Sequence, residues 1–171
     1  MRHVMRKKPA QLGPGTEKQR GFSLIELLIV VAVILIIAAI AIPNFMRSRM
    51  RANESAAVQN LRNITTANVV YLTTYGIGFS DSLTKLGGNA VIVDSTAAGL
   101  IDSVLSSGIK SGYSYTYAVI STDGAGQVLA YSVNAEPTAL GATGDTYYYV
   151  DQTSIIRRNN TGLAGATDPA I

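Results

Sequence analysis

The 171-residue sequence contains no cysteine and no tryptophan, and its only histidine is His3. Without cysteine the chain forms no disulfide, offers no thiolate nucleophile and binds no cysteine-ligated zinc or iron–sulfur cluster. Without a histidine beyond residue 3, catalytic groups of the Ser–His–Asp and Cys–His types are excluded from the rest of the chain. The carboxylates form no recognisable pair, and no glycine-rich phosphate loop follows a strand pattern. We therefore predict no catalytic residue, no metal ligand and no cofactor, and we expect that the protein is not an enzyme.

The basic residues are concentrated at the N-terminus. Residues 1–21 carry six Lys or Arg and one Glu, whereas residues 22–171 carry eight basic and ten acidic side chains. The net charge of +3 for the whole chain therefore hides a net charge of −2 for its larger part. A mildly acidic domain lacks the basic groove that phosphate backbones require, so nucleic acid is not a predicted partner.

A long apolar run, FSLIELLIVVAVILIIAAIAI, extends from Phe22 to Ile42 with Glu26 as its single charge. At about 1.5 Å per residue, a helix of this length spans roughly 30 Å, the thickness of the hydrocarbon core of a bilayer. The Lys and Arg residues before the run favour a cytoplasmic N-terminus. Arg47, Arg49 and Arg51 follow closely and weaken that bias. We predict a membrane-spanning helix with most of the chain on the far side of the membrane.

The helical pattern continues beyond the apolar run. No glycine occurs between Phe22 and Tyr75, whereas thirteen of the sixteen glycines come from Gly76 onward. In the second half of this segment, apolar residues recur at helical spacing: Met50, Ala57, Leu61, Ile64, Ala67 and Tyr71. The pattern predicts one long helix with an apolar first half and an amphipathic second half. Pro43 should kink or loosen it.

After Gly76 the composition changes to glycine, serine, threonine and tyrosine. We predict a loop over residues 76–95 and a short helix over about Thr96–Ser106. Alternating apolar and polar residues, separated by turn residues, then predict four short strands. These strands are Tyr113–Val119, Leu129–Val133, Thr146–Val150 and Ser154–Arg157. The fold class is α+β, with the amphipathic half of the long helix packed on a small four-stranded antiparallel sheet.

Glu26 is the most unusual residue of the apolar run. A carboxylate inside a membrane helix costs about 2.5–3.5 kcal/mol or more at the centre of the bilayer. The cost is smaller near a helix end, and a positive partner offsets it. If the chain were cut between Gly21 and Phe22, the new α-amino group would lie one turn from Glu26. That amine could serve as a counter-ion on the same helix or on a neighbouring one.

The segment Arg20-Gly21-Phe22-Ser23-Leu24-Ile25-Glu26 resembles the class III signal of type IV prepilins and type II secretion pseudopilins. The resemblance implies that a prepilin peptidase cuts after Gly21 and methylates the new N-terminal Phe22. It also implies that Glu26 is the assembly glutamate and that Pro43 is the proline at the end of the apolar segment. The expected architecture is the pilin fold.

The resemblance implies three parts of the chain: a cleaved leader (1–21), a transmembrane assembly helix (22–43) and a periplasmic or extracellular head (44–171). The expected function is that of a structural subunit of a type IV pilus-like filament. Expected partners are the prepilin peptidase, copies of the chain and related pilins, an assembly platform protein, an assembly ATPase system and the membrane. The expected location is the bacterial inner membrane in a single pass, and later an extracellular or periplasmic filament.

Three alternatives remain. The first is the major pseudopilin of a type II secretion system, although no calcium loop of the kind expected in that branch is readable. The second is an anchored binding or enzymatic domain, which no catalytic constellation supports. The third is an ordinary secretory signal cut near Ala39-Ile40-Ala41. Its usual apolar region is only about 7–15 residues long, so the longer run and Glu26 disfavour it.

Overall fold

The structure, a computed structural model, describes residues 21–88 and 93–171. Residues 1–20 of the predicted leader and residues 89–92 of the predicted loop lie outside the described residues. The chain divides between Ile40 and Ala41 into two compact units. The first unit holds the start of a long helix, and the second holds the rest of that helix, the sheet and the hydrophobic core.

Helix α1 runs from Leu24 to Tyr75 over 52 residues and continues through Pro43. It ends at Gly76, which has a φ of +66° and donates its N–H to the carbonyl of Leu72 at 3.0 Å. This left-handed cap favours glycine, because a side chain at that φ is strained. The predicted single helix from the glycine-free segment is confirmed.

The second half of α1 buries one face against the sheet. Of the predicted core positions, five are buried: Ala57, Leu61, Ile64, Ala67 and Tyr71. Met50 is only partly buried. The same face also buries three polar residues, which the sequence did not reveal: Asn60, Thr65 and Asn68. The helical spacing therefore predicted the apolar core residues of α1 correctly. It did not predict that Asn60, Thr65 and Asn68 are also buried.

The sheet has five antiparallel strands in the order β1-β2-β3-β4-β5. They are β1 (Ile109–Lys110), β2 (Tyr113–Thr122), β3 (Val128–Pro137), β4 (Tyr147–Asp151) and β5 (Arg157–Asn159). The prediction of four strands is wrong by one, because a two-residue strand leaves no alternation to detect. At the other edge, Arg157 pairs with Ala170, and the N–H of Ile171 donates to the carbonyl of Ile156 at 3.0 Å. The last residues of the chain therefore lie along β5.

The predicted last strand, Ser154–Arg157, is wrong over most of its length. Ser154 has a φ of 62° and donates its N–H to the carbonyl of Asp151 at 2.9 Å, so it closes a turn. The carboxylate of Asp151 also accepts the N–H of Thr153 at 2.9 Å. These local hydrogen bonds compete with strand pairing, and the strand begins only at Arg157.

A bulge changes which side chains of β2 and β3 face the core. Val119 pairs with Tyr131, but the next aligned pair is Ser121 with Ala130, so the register shifts by one residue. An unbroken alternation would place Val119 and Leu129 on the inward face with Tyr115 and Tyr131, but they are 40% and 54% exposed. Val119 lies just before the first shift, and a second shift between Ser121 and Thr122 places Val128 rather than Leu129 in the core.

The predicted helix Thr96–Ser106 exists only in its last turn, α3, from Ser103 to Ser106. Asp102 caps it by accepting the N–H of Leu105 at 3.0 Å. The preceding residues form a turn around Asp94, and Gly99 adopts a φ of +64°. A left-handed glycine interrupts helical geometry, so the apolar pattern of this segment did not produce a longer helix.

One further short helix, α2, runs from Leu83 to Leu86 within the predicted loop 76–95. Ser82 caps its start by accepting the N–H of Lys85, and the N–H of Gly87 donates to the carbonyl of Leu83 at 2.9 Å. Leu83 and Leu86 are buried in the core. A single turn is too short to produce a helical period, which explains why the prediction missed it.

Candidate functional site

The first part of α1 exposes an unusually apolar surface. The large side chains that are at least 46% exposed here are Phe22, Leu24, Ile25, Leu27, Leu28, Ile29, Val30, Val31, Val33, Ile34, Leu35, Ile36, Ile37, Ile40 and Ile42. An 18-residue window of the helix reaches a mean hydropathy of 3.3, and none of that window is buried. Water is a poor solvent for so large an apolar surface, so the segment requires lipid or apolar protein partners. Its length and composition suit a membrane span.

At the start of the helix, a glutamate side chain satisfies the backbone N–H of the residue that precedes the helix. Ser23 precedes the first helical residue, and its N–H donates to Oε2 of Glu26 at 2.8 Å. A Glu at the third helical position commonly satisfies the free N–H of the cap residue in this way. Its negative charge is also favourable at the positive end of the helix dipole. Glu26 thus stabilises the start of its own helix, a role that the sequence reading did not include although the spacing Ser-x-x-Glu signals it.

The predicted cleavage site lies just before the helix. Gly21 and Phe22 precede its first residue, Leu24, and both are exposed, Phe22 by 86%. Among the described residues, apart from Gly21 itself and its chain neighbour, no heavy atom lies within 4 Å of the position that a Cβ on Gly21 would occupy. Gly21, Phe22 and Glu26 therefore lie within six consecutive residues at the start of α1, and all three are exposed. Pro43, the fourth predicted site residue, lies within α1 in the second unit.

Two polar contacts hold the part of α1 that follows Pro43 to the loop between β3 and β4. Nδ2 of Asn53 donates to the carbonyl of Thr143 at 2.9 Å. Oε1 of Glu54 accepts the N–H of Asp145 at 3.0 Å. Each contact joins residues about ninety positions apart in sequence. The two contacts therefore attach α1, at Asn53 and Glu54, to the sheet.

A buried polar cluster joins the middle of α1 to the sheet. Oδ1 of Asn68 accepts the N–H of Ser80 at 3.2 Å, and the hydroxyl of Tyr117 donates to the carbonyl of Ser80 at 2.6 Å. Asn60 donates from Nδ2 to the hydroxyl of Tyr115 at 2.9 Å. Burial raises the pKa of Tyr115 to about 12 and also raises the pKa of Tyr117. These hydroxyls stay protonated at neutral pH and act as structural hydrogen-bonding groups.

Within residues 21–88 and 93–171, no group of three or more His, Asp or Glu residues is placed to hold a metal ion. The carboxylate of Asp123 accepts the N–H groups of Ala125 and Gln127 at 2.9 and 2.7 Å. Asp123 therefore closes the turn between β2 and β3.

Comparison with known proteins agrees with this geometry. The family model described as the prokaryotic N-terminal methylation motif matches residues 17–42. A curated fimbrial protein of Pseudomonas aeruginosa is 35% identical over 118 residues, which cover 60% of this chain and 77% of the relative. Together with the long helix, the antiparallel sheet and the capped start of the apolar segment, these matches show that the chain belongs to the family of type IV pilins and type II secretion pseudopilins.

Two further relatives match through a shorter segment. The type IV major pilin protein PilA of Myxococcus xanthus is 56% identical over 50 residues, which cover 29% of this chain and 23% of the relative. The type II secretion system core protein G of Escherichia coli is 37% identical over 46 residues, which cover 27% of this chain and 32% of the relative. These relatives are named as a pilin and a secretion-system protein, not as enzymes. No solved structure matches the chain significantly.

Proposed function

We propose that the chain is the structural subunit of a type IV pilus-like filament that waits in the inner membrane before assembly. Residues 22–43 serve as the membrane and assembly helix, and residues 44–171 form the head on the periplasmic side. The observation that carries the proposal is the bare apolar surface from Leu24 to Ile42, whose one charge is at its start. Such a surface is stable in lipid, and it keeps its burial when it moves into a bundle of identical helices.

Processing between Gly21 and Phe22 prepares the subunit for assembly. A prepilin peptidase cuts this bond and methylates the amino group of Phe22. The position of Gly21 outside the helix, with open space around it, supports access by a protease. The same open space means that a larger residue at position 21 does not disturb the described fold, so its effect would fall on the peptidase.

The mass of the protein purified from its native host tests this step. We expect a chain that starts at Phe22 and carries one additional methyl group. Gly21→Leu should leave the precursor uncut in the membrane, because the bulky side chain opposes recognition by the peptidase. A retained leader in the wild-type protein, or a mature chain that starts at Ile42, would contradict the proposal.

Assembly depends on Glu26 and on the amino group of Phe22 in a neighbouring subunit. In a bundle of apolar helices, an unpaired carboxylate is far more costly than at a membrane surface. Pairing with the neighbour's amine removes that cost and fixes the axial register, since a helix displaced by one turn leaves both charges unpaired. Pro43 lacks an N–H and loosens the helix locally, which helps the apolar segments to pack.

Two substitutions at position 26 separate the charge from the cap. Glu26→Gln keeps an oxygen that can accept the N–H of Ser23, whereas Glu26→Val removes both the charge and the cap. We expect both variants to insert and to be cleaved at Gly21, and both to reduce filament strongly. Leu27→Val is the matched control, because it changes an apolar neighbour only. Filament should be measured relative to the cleaved subunit in the membrane.

The outcomes distinguish three possibilities. A normal filament yield from Glu26→Val refutes any assembly role of Glu26. A normal yield from Glu26→Gln with loss in Glu26→Val indicates that the cap, and not the charge, is required. Loss in both variants with normal Leu27→Val supports charge pairing.

The second candidate is a pseudopilin of a type II secretion system, which the match to core protein G favours. That match covers 46 residues, whereas the match to the fimbrial protein covers 118 residues and so reaches well into the head. The longer match supports the pilus. Electron microscopy of filaments sheared from cells, labelled with an antibody against the head, decides the question: surface fibres support a pilus, and label confined to the periplasm supports the pseudopilin. In either case, deletion of the platform protein or the ATPase should leave mature subunit in the membrane.

A further inference from the structure

Three arginines follow the apolar segment at alternate positions: Arg47, Arg49 and Arg51. All three are exposed. Their guanidinium groups form no ion pair or hydrogen bond with another residue of the described ranges, whose ion pairs are Lys85–Asp81 and Lys110–Asp102. Three guanidinium groups without an internal partner are available to a ligand from outside the chain.

The first arginine lies at the outer limit of a lipid headgroup layer, and the other two lie within about 6 Å beyond it along the helix. With a rise of about 1.5 Å per residue, Arg47 lies about 7.5 Å and Arg51 about 13.5 Å beyond Ile42 along the helix. The headgroup layer on each side of a bilayer is roughly 5–8 Å thick. Long arginine side chains can reach back toward the interface while their stems lie along the helix. The three charges therefore fall at the outer edge of the membrane that holds residues 22–42.

The arrangement around the helix also favours a surface over a single pocket. Successive helical positions differ by about 100°, so Arg47 and Arg51 share one side while Arg49 points to the opposite side. Arg47 and Arg51 line a recess of about 480 Å³ together with Glu54 and Asp145. Glu54, however, lies about 18 Å beyond Ile42 by the same rise, farther from the membrane than any of the arginines.

We propose that these arginines form a collar that binds the phosphate groups of anionic phospholipids on the outer face of the inner membrane, before the subunit enters a filament. The inference rests on the membrane-anchored state described under Proposed function. Guanidinium groups bind phosphate oxygens through paired hydrogen bonds. The collar holds the head at the membrane surface and sets the depth of the helix. It also gives the positive charges after the helix a role on the far side of the membrane, where they oppose the usual charge bias.

The test uses the protein purified from membranes of its native host and reconstituted in phosphatidylcholine vesicles. Spin-labelled phosphatidylglycerol or spin-labelled phosphatidylcholine is added in trace amounts, and electron paramagnetic resonance measures the fraction of each lipid immobilised by the protein. We expect a severalfold preference for phosphatidylglycerol, since each arginine near a charged lipid surface contributes up to about fivefold at low salt. The preference should fall toward one at about 0.5 M salt, where the Debye length is roughly 4 Å.

Three variants identify the source of the preference. The triple variant Arg47→Gln, Arg49→Gln, Arg51→Gln should lose it, and the corresponding triple Lys variant should keep most of it. Arg62→Gln is the matched control, because Arg62 is exposed on the same helix but lies about 30 Å beyond Ile42. Any of three results overturns the collar. The wild type shows no preference for phosphatidylglycerol, the triple Gln variant keeps the preference, or Arg62→Gln removes it to the same extent.

Failure of this inference is separable from failure of the proposed function. If the protein is washed from the vesicles at alkaline pH, the helix does not span the bilayer and the membrane-anchored state itself is wrong. If the protein stays inserted and host filaments form normally, but no lipid preference exists, only the collar is refuted.

Discussion

Asn68 provides a sharp test of how the head holds the long helix. Its side chain is fully buried, and its Oδ1 is the acceptor for the N–H of Ser80, which is also fully buried. In Asn68→Leu the replacement has a similar size, so little cavity forms, but the N–H of Ser80 loses its partner. A buried unsatisfied donor costs about 1–3 kcal/mol. Two further contacts of Asn68 are less costly to lose. Its Nδ2 donates to the carbonyl of Ile64, which keeps its backbone partner in the helix. Its Oδ1 lies 3.1 Å from the hydroxyl of Tyr117, which keeps the carbonyl of Ser80 as an acceptor.

The expected loss in the free energy of unfolding is therefore about 1–3 kcal/mol, reduced somewhat by the more apolar side chain. The assay is urea unfolding of a fragment that starts at Asn44, because residues 41–171 form a compact unit with its own core. For a fragment of this size, each kcal/mol lowers the melting temperature by roughly 3–6 °C. We expect this fragment to be soluble once the apolar segment is removed.

Two further variants make the interpretation specific. Asn63→Leu is the matched control, since Asn63 is exposed on the same helix and should change the stability by less than about 0.5 kcal/mol. Tyr117→Phe removes the hydroxyl that donates to the carbonyl of Ser80. Because Tyr117 contacts Asn68 directly at 3.1 Å and both residues bind the backbone of Ser80, their effects should not add, with a coupling of about 0.5–3 kcal/mol. Equal stabilities of Asn68→Leu and Asn63→Leu, or strict additivity with Tyr117→Phe, would refute the reasoning.

The remaining predictions use the same fragment. Gly144→Ala should destabilise it, because a Cβ would collide with the ring and hydroxyl of Tyr113, whereas Gly124→Ala should be tolerated in open space; thermal melting compares the two. Stability should fall above pH 10, because burial raises the pKa of Tyr115 to about 12 and the unfolded chain ionises first. Tyr115 makes its full contribution to the free energy of unfolding below pH 10. This contribution decreases by up to about 1.4 kcal/mol per pH unit and is lost by about pH 12. Unfolding in urea at several alkaline pH values should show a shallower decline in Tyr115→Phe, and an unchanged decline would contradict the assignment.

The long helix and its core face could be predicted because two strong signals coincide. The absence of glycine through Tyr75 and the recurrence of Leu61, Ile64 and Tyr71 both extend over many turns, so local errors cancel. Asn60 and Asn68 share the stripe of Ile64 at spacings of four, and the helical period alone would have placed them inward. Their polar character led to the opposite interpretation, since a buried amide is stable only when a partner such as Tyr115 or Ser80 lies opposite.

The errors in the sheet have a different cause. Strand predictions assume an unbroken alternation, but the register shifts between Val119 and Thr122 interrupt it, and nothing local in the sequence marks them. Short elements such as α2 depend on contacts that are distant in sequence, so no local period reveals them. At the start of the apolar segment, the sequence indicated Gly21, Phe22 and Glu26 as a group, and only the structure added the hydrogen bond from Ser23 to Glu26.

The short outer strands of the sheet limit aggregation between copies of the head that are held close together. One edge has two residues, and the other has three and is accompanied by the last residues of the chain. Long unpaired strands recruit further strands and grow into cross-β aggregates. Heads with such brief edges offer almost no template for that growth, even when a fibre holds them side by side at very high local concentration. In the filament proposed above, such heads would not fuse into a continuous sheet, so disassembly would return native subunits.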